Sequence, residues 1–161
     1  MQVKITDLLE LVDETARRVI YSTLVTHRVD GGISARVMQH FQPDDDLAIW
    51  FGTNPNSRKV AELRVNPQAT VIFHDDSETA YVTVSGTVDI IDNLDTRRSM
   101  WMEEWRAFFP DGAEGSDYVL LRLAPERVEI LNFKREIAPP PYGLNHINLV
   151  RQDDGWALLD A

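Results

Sequence analysis

Cysteine is absent from the 161 residues, which removes disulfides and thiolate metal sites from the possibilities. Also missing is any run of about 18 consecutive apolar residues, the length a membrane-spanning helix needs. The opening MQVKITDLLELVDETARR lacks the basic start and apolar stretch of a signal peptide. Positive charge is scarce, with 16 Lys+Arg against 26 Asp+Glu and a formal net charge of −10. Nucleic acid and anionic lipid both require clustered cations, so neither partner is expected and a cytoplasmic location is the default. His27, His40, His74 and His146 are scattered without ligand spacing, and no metal site is expected. Ser85-Gly86 lacks the surroundings of a nucleophile elbow. The adjacent carboxylates Glu103-Glu104 and Asp44-Asp45-Asp46 read as solvated faces, because neighbours in sequence point in different directions. No catalytic residue can be assigned.

The remaining composition, 43% hydrophobic and 26% charged, is that of one globular domain with a sizeable core. Residues 5–18 carry apolar positions at helical spacing, with Thr6 or Asp7 available as a cap. The period then changes. VIYSTLVTHRV and ISARVMQHF flank Asp30-Gly31-Gly32 and predict a β-hairpin. LAIWFGT, ATVIFHD and TAYVTVSGTVDII read as further strands, with a bulge or bend expected at Gly86. Residues 94–109 predict a helix stopped by Pro110. DYVLLRL and ERVEILNF read as two strands interrupted at Ala124-Pro125. About six antiparallel strands with flanking helices must manage their edges, and a closed or partly open barrel does so economically. The domain is expected over 1–133. Residues 134–161 form an extension, extended through Ile137–Tyr142, that adds a strand or packs on a partner subunit, where Trp156 can dock.

The segment TNPNSRKVAELRVNP, 53–67, stands out against this acidity. Thr53 and Ser57 offer hydroxyls, Arg58 a fork of donors and Lys59 a compact charge. Ser57 falls where a short helix begins, with Val60, Leu63 and Ala61 expected to face inward. Cations at a helix N-terminus oppose its dipole, whereas a bound anion would reverse the sign and also use the free backbone N–H groups. An anion site and a merely solvated helix start both remain open on these residues alone. Trp101 and Trp105, four apart, fit either core or subunit packing, or the wall of a ligand pocket.

Arg36-Val37-Met38 in a strand, LAIWFGTN ending the next, Ser57-Arg58-Lys59 opening a helix, and Asn66-Pro67 leading into ATVIF form an ordered series. It resembles the FMN-binding split barrels of the pyridoxamine 5′-phosphate oxidase-like superfamily. YVTVSGTVDII, the Trp-bearing segment, FFPDG and YVLLRLAPERVEIL are similar to its general stress protein branch, over roughly residues 8–133. The resemblance implies a mainly β fold, a six-stranded antiparallel split β-barrel with flanking helices. It also implies FMN at the interface of a homodimer. Arg58 and Lys59 would hold the phosphate with Ser57 and Thr53, Arg36 would reach the phosphate or ribityl chain, and Val37 and Met38 would lie along the ring. Tyr81 stands where the oxidase proper has a Gln to the flavin. The tail reads PPPYGLNHINL in place of that enzyme's Arg-Leu-His segment. The expectation is therefore a flavin-dependent oxidoreductase, acting on a small molecule or NAD(P)H, distinct from pyridoxamine 5′-phosphate oxidase itself. The alternatives are a flavin-binding, stress-related protein without turnover, or a split barrel that uses F420 or haem.

Overall fold

The computed structural model of the chain describes residues 3–138, 140–141 and 145–159. It opens with helix α1, Ile5–Arg18, whose Leu8, Leu11, Val12, Thr15 and Ala16 are buried. Lys4 occupies the cap position without a side-chain bond, in place of Thr6 or Asp7. Val3, Ile5 and Leu9 pack against the core, and this burial starts the helix ahead of its capping candidates.

Strands β1 (Tyr21–His27), β2 (Ile33–Gln39), β3 (Ile49–Thr53), β4 (Gln68–Asp75), β5 (Ala80–Ile91) and β6 (Val119–Asn132) follow, with helix α2 (Arg58–Val65) between β3 and β4. All pairings are antiparallel, in the order β2-β1-β4-β5-β6, and β3 pairs with the first half of β6. Phe41 N donates to Trp50 O at 2.9 Å, joining the end of β2 to β3 and drawing these six strands into a ring. The core inside it contains Leu24, Phe51, Val71, Phe73, Val82, Val84, Leu121, Leu123 and Ile130, with α1 supplying Leu8 and Val12.

Three expectations differ from what is found. Ala124-Pro125 does not divide β6, because the missing Pro N–H falls at a bulge. Gly86 pairs with Pro125 and Ser85 with Arg127, so Glu126 is left over on β6. A Cβ on Gly86 would overlap the Ala124 carbonyl oxygen. The second difference concerns residues 94–109, which form only a short helix α3, Leu94–Ser99, and a 3₁₀ turn, Glu103–Ala107. The chain tightens where Trp101 N bonds Arg98 O, and the break turns both Trp101 and Trp105 onto Tyr118 (ring centroids 5.2 and 6.3 Å). A straight helix would present them as one stripe. Third, the tail contributes two strands rather than one. β7 (Ile147–Gln152) pairs with the second half of β6, and β8 (Gly155–Leu158) returns along β7. Leu149 is fully buried in the core and Trp156 packs against it. Within the stretch Ile137–Tyr142, Pro139 and Tyr142 lie outside the described residues.

His40 closes β2 onto α1. Its Nε2 donates to Ala16 O at 2.8 Å, its Nδ1 accepts from Ser22 Oγ at 3.0 Å, and its ring meets Phe73 edge-on. Burial lowers its pKa below the ordinary 6.5, against the opposing pull of backbone carbonyls. The unfolded chain therefore binds this proton more readily than the folded one. The resulting stability is fully present above pH 6.5 and declines as the pH falls below it. Asp75, Glu62 and Glu78 are held below their ordinary carboxylate values, so their loss comes at lower pH still. Urea titrations at pH 7.5 and 5.5 should show a stability drop that His40→Gln reduces. An unchanged drop would contradict the assignment. Gly86→Ala should cost about 2 kcal/mol or more at either pH, since a backbone carbonyl must move.

Candidate functional site

The end of β3 and the start of α2 face the edge strand β2 across a cleft of about 420 Å³. Tyr21, Val37, Met38 and Gln39 line one side, and Gly52, Thr53, Asn54 and Lys59 the floor and end. Trp105, Phe108 and Phe109 form the remaining wall. β2 pairs only with β1 along its described length, so its other backbone edge is open to the cleft.

At the α2 end the chain gathers charge. Lys59 Nζ donates to Thr53 Oγ1 at 2.9 Å. Arg36 Nη1 donates to Leu24 O (3.2 Å) and Thr26 Oγ1 (2.8 Å). Its Nη2 is buried without a partner, as is Ser57 Oγ, although buried polar atoms are nearly always bonded. Ser57 occupies the cap position of α2 with no side-chain cap bond. The first backbone bond of that helix is Ala61 N to Ser57 O, which leaves the N–H groups of residues 58–60 at the positive end of the dipole. Burial, with Arg36 nearby, lowers the Lys59 pKa, and burial likewise lowers that of Arg36.

The neighbouring carboxylate is Glu62, which takes the inward place expected of Ala61. It accepts from Thr26 Oγ1 at 2.8 Å and Ser34 Oγ at 3.1 Å, and pairs with Arg58 Nε at 3.2 Å. Burial alone would raise its pKa, but these hydroxyls together with Arg36 and Arg58 hold it lowered. Arg36 and Arg58 thus share one carboxylate that already accepts from two hydroxyls, while Lys59 bonds Thr53 instead. This is a local excess of positive charge on a chain of net charge −10.

Arg36, Val37, Met38, Thr53, Ser57 and Lys59 are brought to this cleft and the helix cap behind it. Arg58 is not brought in the same way. One helical step is about 100°, so it turns away from Lys59, lies over Glu62 and remains 71% exposed. Tyr81 does not line the cleft. It lies on the outer face of β5, beside Glu129, which together with burial raises its phenol pKa. Glu62 was legible as an i+4 partner of Arg58, but its hydroxyl partners on β1 and β2 carried no local signal. Tyr21, Gln39, Gly52, Asn54, Phe108 and Phe109 come together only through the fold. Among the described residues, no group of three or more His, Asp or Glu side chains is arranged to hold a metal ion.

A six-strand ring with a seventh and eighth strand added beyond β6, and a cleft beside the start of α2, defines a split β-barrel. The sequence profile described as pyridoxamine 5′-phosphate oxidase like matches residues 7–136, and the chain belongs to that family. Among solved structures it is similar to a Clostridium acetobutylicum protein related to general stress protein 26 of B. subtilis, of the pyridoxinephosphate oxidase family. That pair has TM-score 0.75 and 20% identity, covering 92% of this chain and 96% of the other. It is also similar to a pyridoxamine 5′-phosphate oxidase-related, FMN binding protein from Nostoc punctiforme (TM-score 0.72, 16% identity, 99% and 98% covered). A third similar structure is a putative general stress protein 26 from Jannaschia (TM-score 0.66, 25% identity, 78% of each chain). Among curated proteins, none matches the chain significantly.

Replacing a capping Ser by Ala ordinarily costs about 1 kcal/mol. Because Ser57 Oγ is buried and bonds nothing within the described chain, Ser57→Ala should leave the ligand-free stability unchanged or raise it by up to about 1–3 kcal/mol, the penalty of an unsatisfied buried group. Chemical denaturation in phosphate- and sulfate-free buffer checks this. A loss of ordinary capping size would show that the hydroxyl already has an internal partner.

Proposed function

We propose that this chain binds FMN in the cleft and acts as a flavin-dependent oxidoreductase distinct from pyridoxamine 5′-phosphate oxidase. One observation carries the reading: two buried donors, Arg36 Nη2 and Ser57 Oγ, have no acceptor in the described chain, and they flank a desolvated Lys59. A phosphate dianion satisfies such a set. It accepts from the guanidinium, the hydroxyl, the ammonium and the N-terminal N–H groups of α2, and it favours the charged form of Lys59 that burial disfavours. The residues present fit the group. The similar Nostoc protein is itself described as FMN binding, which supports the same assignment.

From the phosphate end, the cleft extends along the open edge of β2, where unpaired backbone groups at Val37–Gln39 suit the donors and acceptors of a heterocycle's polar edge. Met38 and Val37 supply the apolar surface. When bound, FMN supplies hydride or electron exchange, and the chain supplies position and electrostatics. Thr53 orients Lys59, while Glu62 and Thr26 hold Arg36 on the inner side of β2. Among the described lining residues the titratable side chains are Lys59 and Tyr21. This small set favours a second reading, binding of flavin without turnover. Anaerobic mixing with NADH or NADPH separates the two, since only the oxidoreductase bleaches its flavin absorbance at a useful rate. F420 is disfavoured because the basic region ends at Lys59. Haem is disfavoured because no histidine lines the cleft among the described residues.

The active form proposed is a homodimer. Tyr21, Ile33 and Val37 are 62%, 56% and 70% exposed on the outer face of β1 and β2, and a second copy laid on that face would cover them and complete the cleft. Tyr81 shares that face with Thr83, which aligns through Ile72 and Thr23 with Val37. In such a dimer Tyr81 would approach the flavin of the other copy.

FMN should bind at least about 100-fold more tightly than riboflavin, the difference being charge-assisted bonds of about 1.5–3 kcal/mol each. Lys59→Ala should weaken FMN binding about 10- to 100-fold by the same scale. Arg58→Ala, removing an exposed pair, should weaken it less than about fivefold. Flavin fluorescence titration measures all three. Equal affinity for FMN and riboflavin would overturn the proposal.

A further inference from the structure

We propose that the wall opposite β2 is a substrate platform selecting planar, uncharged aromatic molecules and rejecting anionic ones. The proposal rests on the flavin reading above for the occupant of the phosphate end. The platform itself stands on separate observations.

The wall is the broken segment after α3. Trp105, Phe109 and Tyr118 are buried and interlocked, with ring centroids 5.0–6.3 Å apart, and Phe41 tilts against Trp105 at 4.6 Å. The segment is fastened to the barrel at Gly52, where a Cβ would overlap Trp105. This anchoring holds Phe108 at the mouth of the cleft, 75% exposed, while its neighbour Phe109 is buried. A large aromatic side chain held out from a rigid base, beside an apolar cleft, supplies a stacking face at low entropic cost.

Charge decides what stacks there. Together α3 and the segment after it carry three guanidiniums. Arg97 bonds Gly115 O and Tyr118 O and pairs with Asp92; its Nε makes no hydrogen bond but is buried in the wall, out of reach of a ligand at the exposed Phe108. Arg98 pairs with Glu114 and Asp95. Arg106 pairs with Glu103 and reaches Pro110 O. Arg122, nearby on β6, lies over Trp50 and faces Asp44 and Asp46. The remaining cation of the cleft, Lys59, lies at the phosphate end. A substrate carboxylate, sulfonate or phosphate at Phe108 would find no solvent-accessible, uncommitted cation beside it among the described residues, on a protein of net charge −10. The discrimination is therefore negative for anions and positive for flat apolar rings.

The test uses 1,4-naphthoquinone and 1,2-naphthoquinone-4-sulfonate, bicyclic quinones without and with a negative charge, titrated calorimetrically into the full-length FMN-supplemented protein. The uncharged quinone should bind at least tenfold more tightly. Phe108→Ala should weaken it about fivefold or more, and by a larger factor than it weakens FMN, since Phe108 is only one wall of the cleft; the exposed position keeps that variant folded. Equal or tighter binding of the sulfonate would overturn the proposal. So would unchanged quinone binding in Phe108→Ala accompanied by loss of dimer in sedimentation, which would assign Phe108 to the subunit contact. FMN titration of the same samples reports on the flavin reading independently. Absent FMN binding with the quinone preference retained overturns the flavin reading alone, whereas FMN binding without the preference overturns the platform alone.

Discussion

A guanidinium buried with one nitrogen unsatisfied is the constraint around which this site is organised. Arg36 projects inward from β2, where desolvation opposes its charge, and the chain meets that cost only in part. Glu62 compensates from α2, and Thr26 Oγ1 sits between them, donating to the carboxylate and accepting from the guanidinium. The hydroxyl bridge ties β1, β2 and α2 into one polar unit beside the apolar core. Removing Glu62 would leave Arg36 buried without its counter-charge, the costly way to break such a pair. Retaining it leaves one nitrogen and one hydroxyl that bond nothing within the described chain.

On the proposed function, this arrangement would let a strongly acidic protein hold an anion. Most of the net charge lies on exposed carboxylates, where screening limits its reach to about 10 Å. The cations at the start of α2 act at contact distance and partly out of water. The adjacent Arg58 and Lys59 have different tasks: Arg58 keeps Glu62 charged from the solvent side, and Lys59 enters the cleft. The barrel contributes rigidity, since β3 is held by β6, itself paired on both sides along most of its length, and α2 is held on β1 through Glu62 and Thr26.

Much of the fold was legible because its signals are local. Alternation marked the strands, Asp30-Gly31-Gly32 the hairpin turn, and Gly86 the bulge. The errors arose where tertiary packing outweighs local rules. Pro125 reads as a strand end until Glu126 is seen to be left out of register. Trp101 and Trp105 read as a helical stripe until Tyr118, distant in sequence, draws both of them onto itself. Thr53, Ser57, Arg58 and Lys59 were legible as one polar group from their types and their place at a strand–helix junction, and Lys59 does reach Thr53. Glu62's two hydroxyl partners lie 36 and 28 residues away, and the aromatic wall arrives from beyond residue 100. No window of sequence contains either.

On the proposed function, the unsatisfied donors at the start of α2 hold a phosphate dianion. Phosphorus-31 NMR of FMN bound to the protein, followed from pH 8 to 5.5, tests this most directly. Free FMN phosphate takes up its second proton near pH 6, and its resonance moves accordingly. Held by Arg36, Lys59, Ser57 and the α2 N–H groups, the bound phosphate should stay dianionic, with a resonance that does not move across this range. A bound resonance that titrates as free FMN does would place the phosphate in solvent and contradict the account.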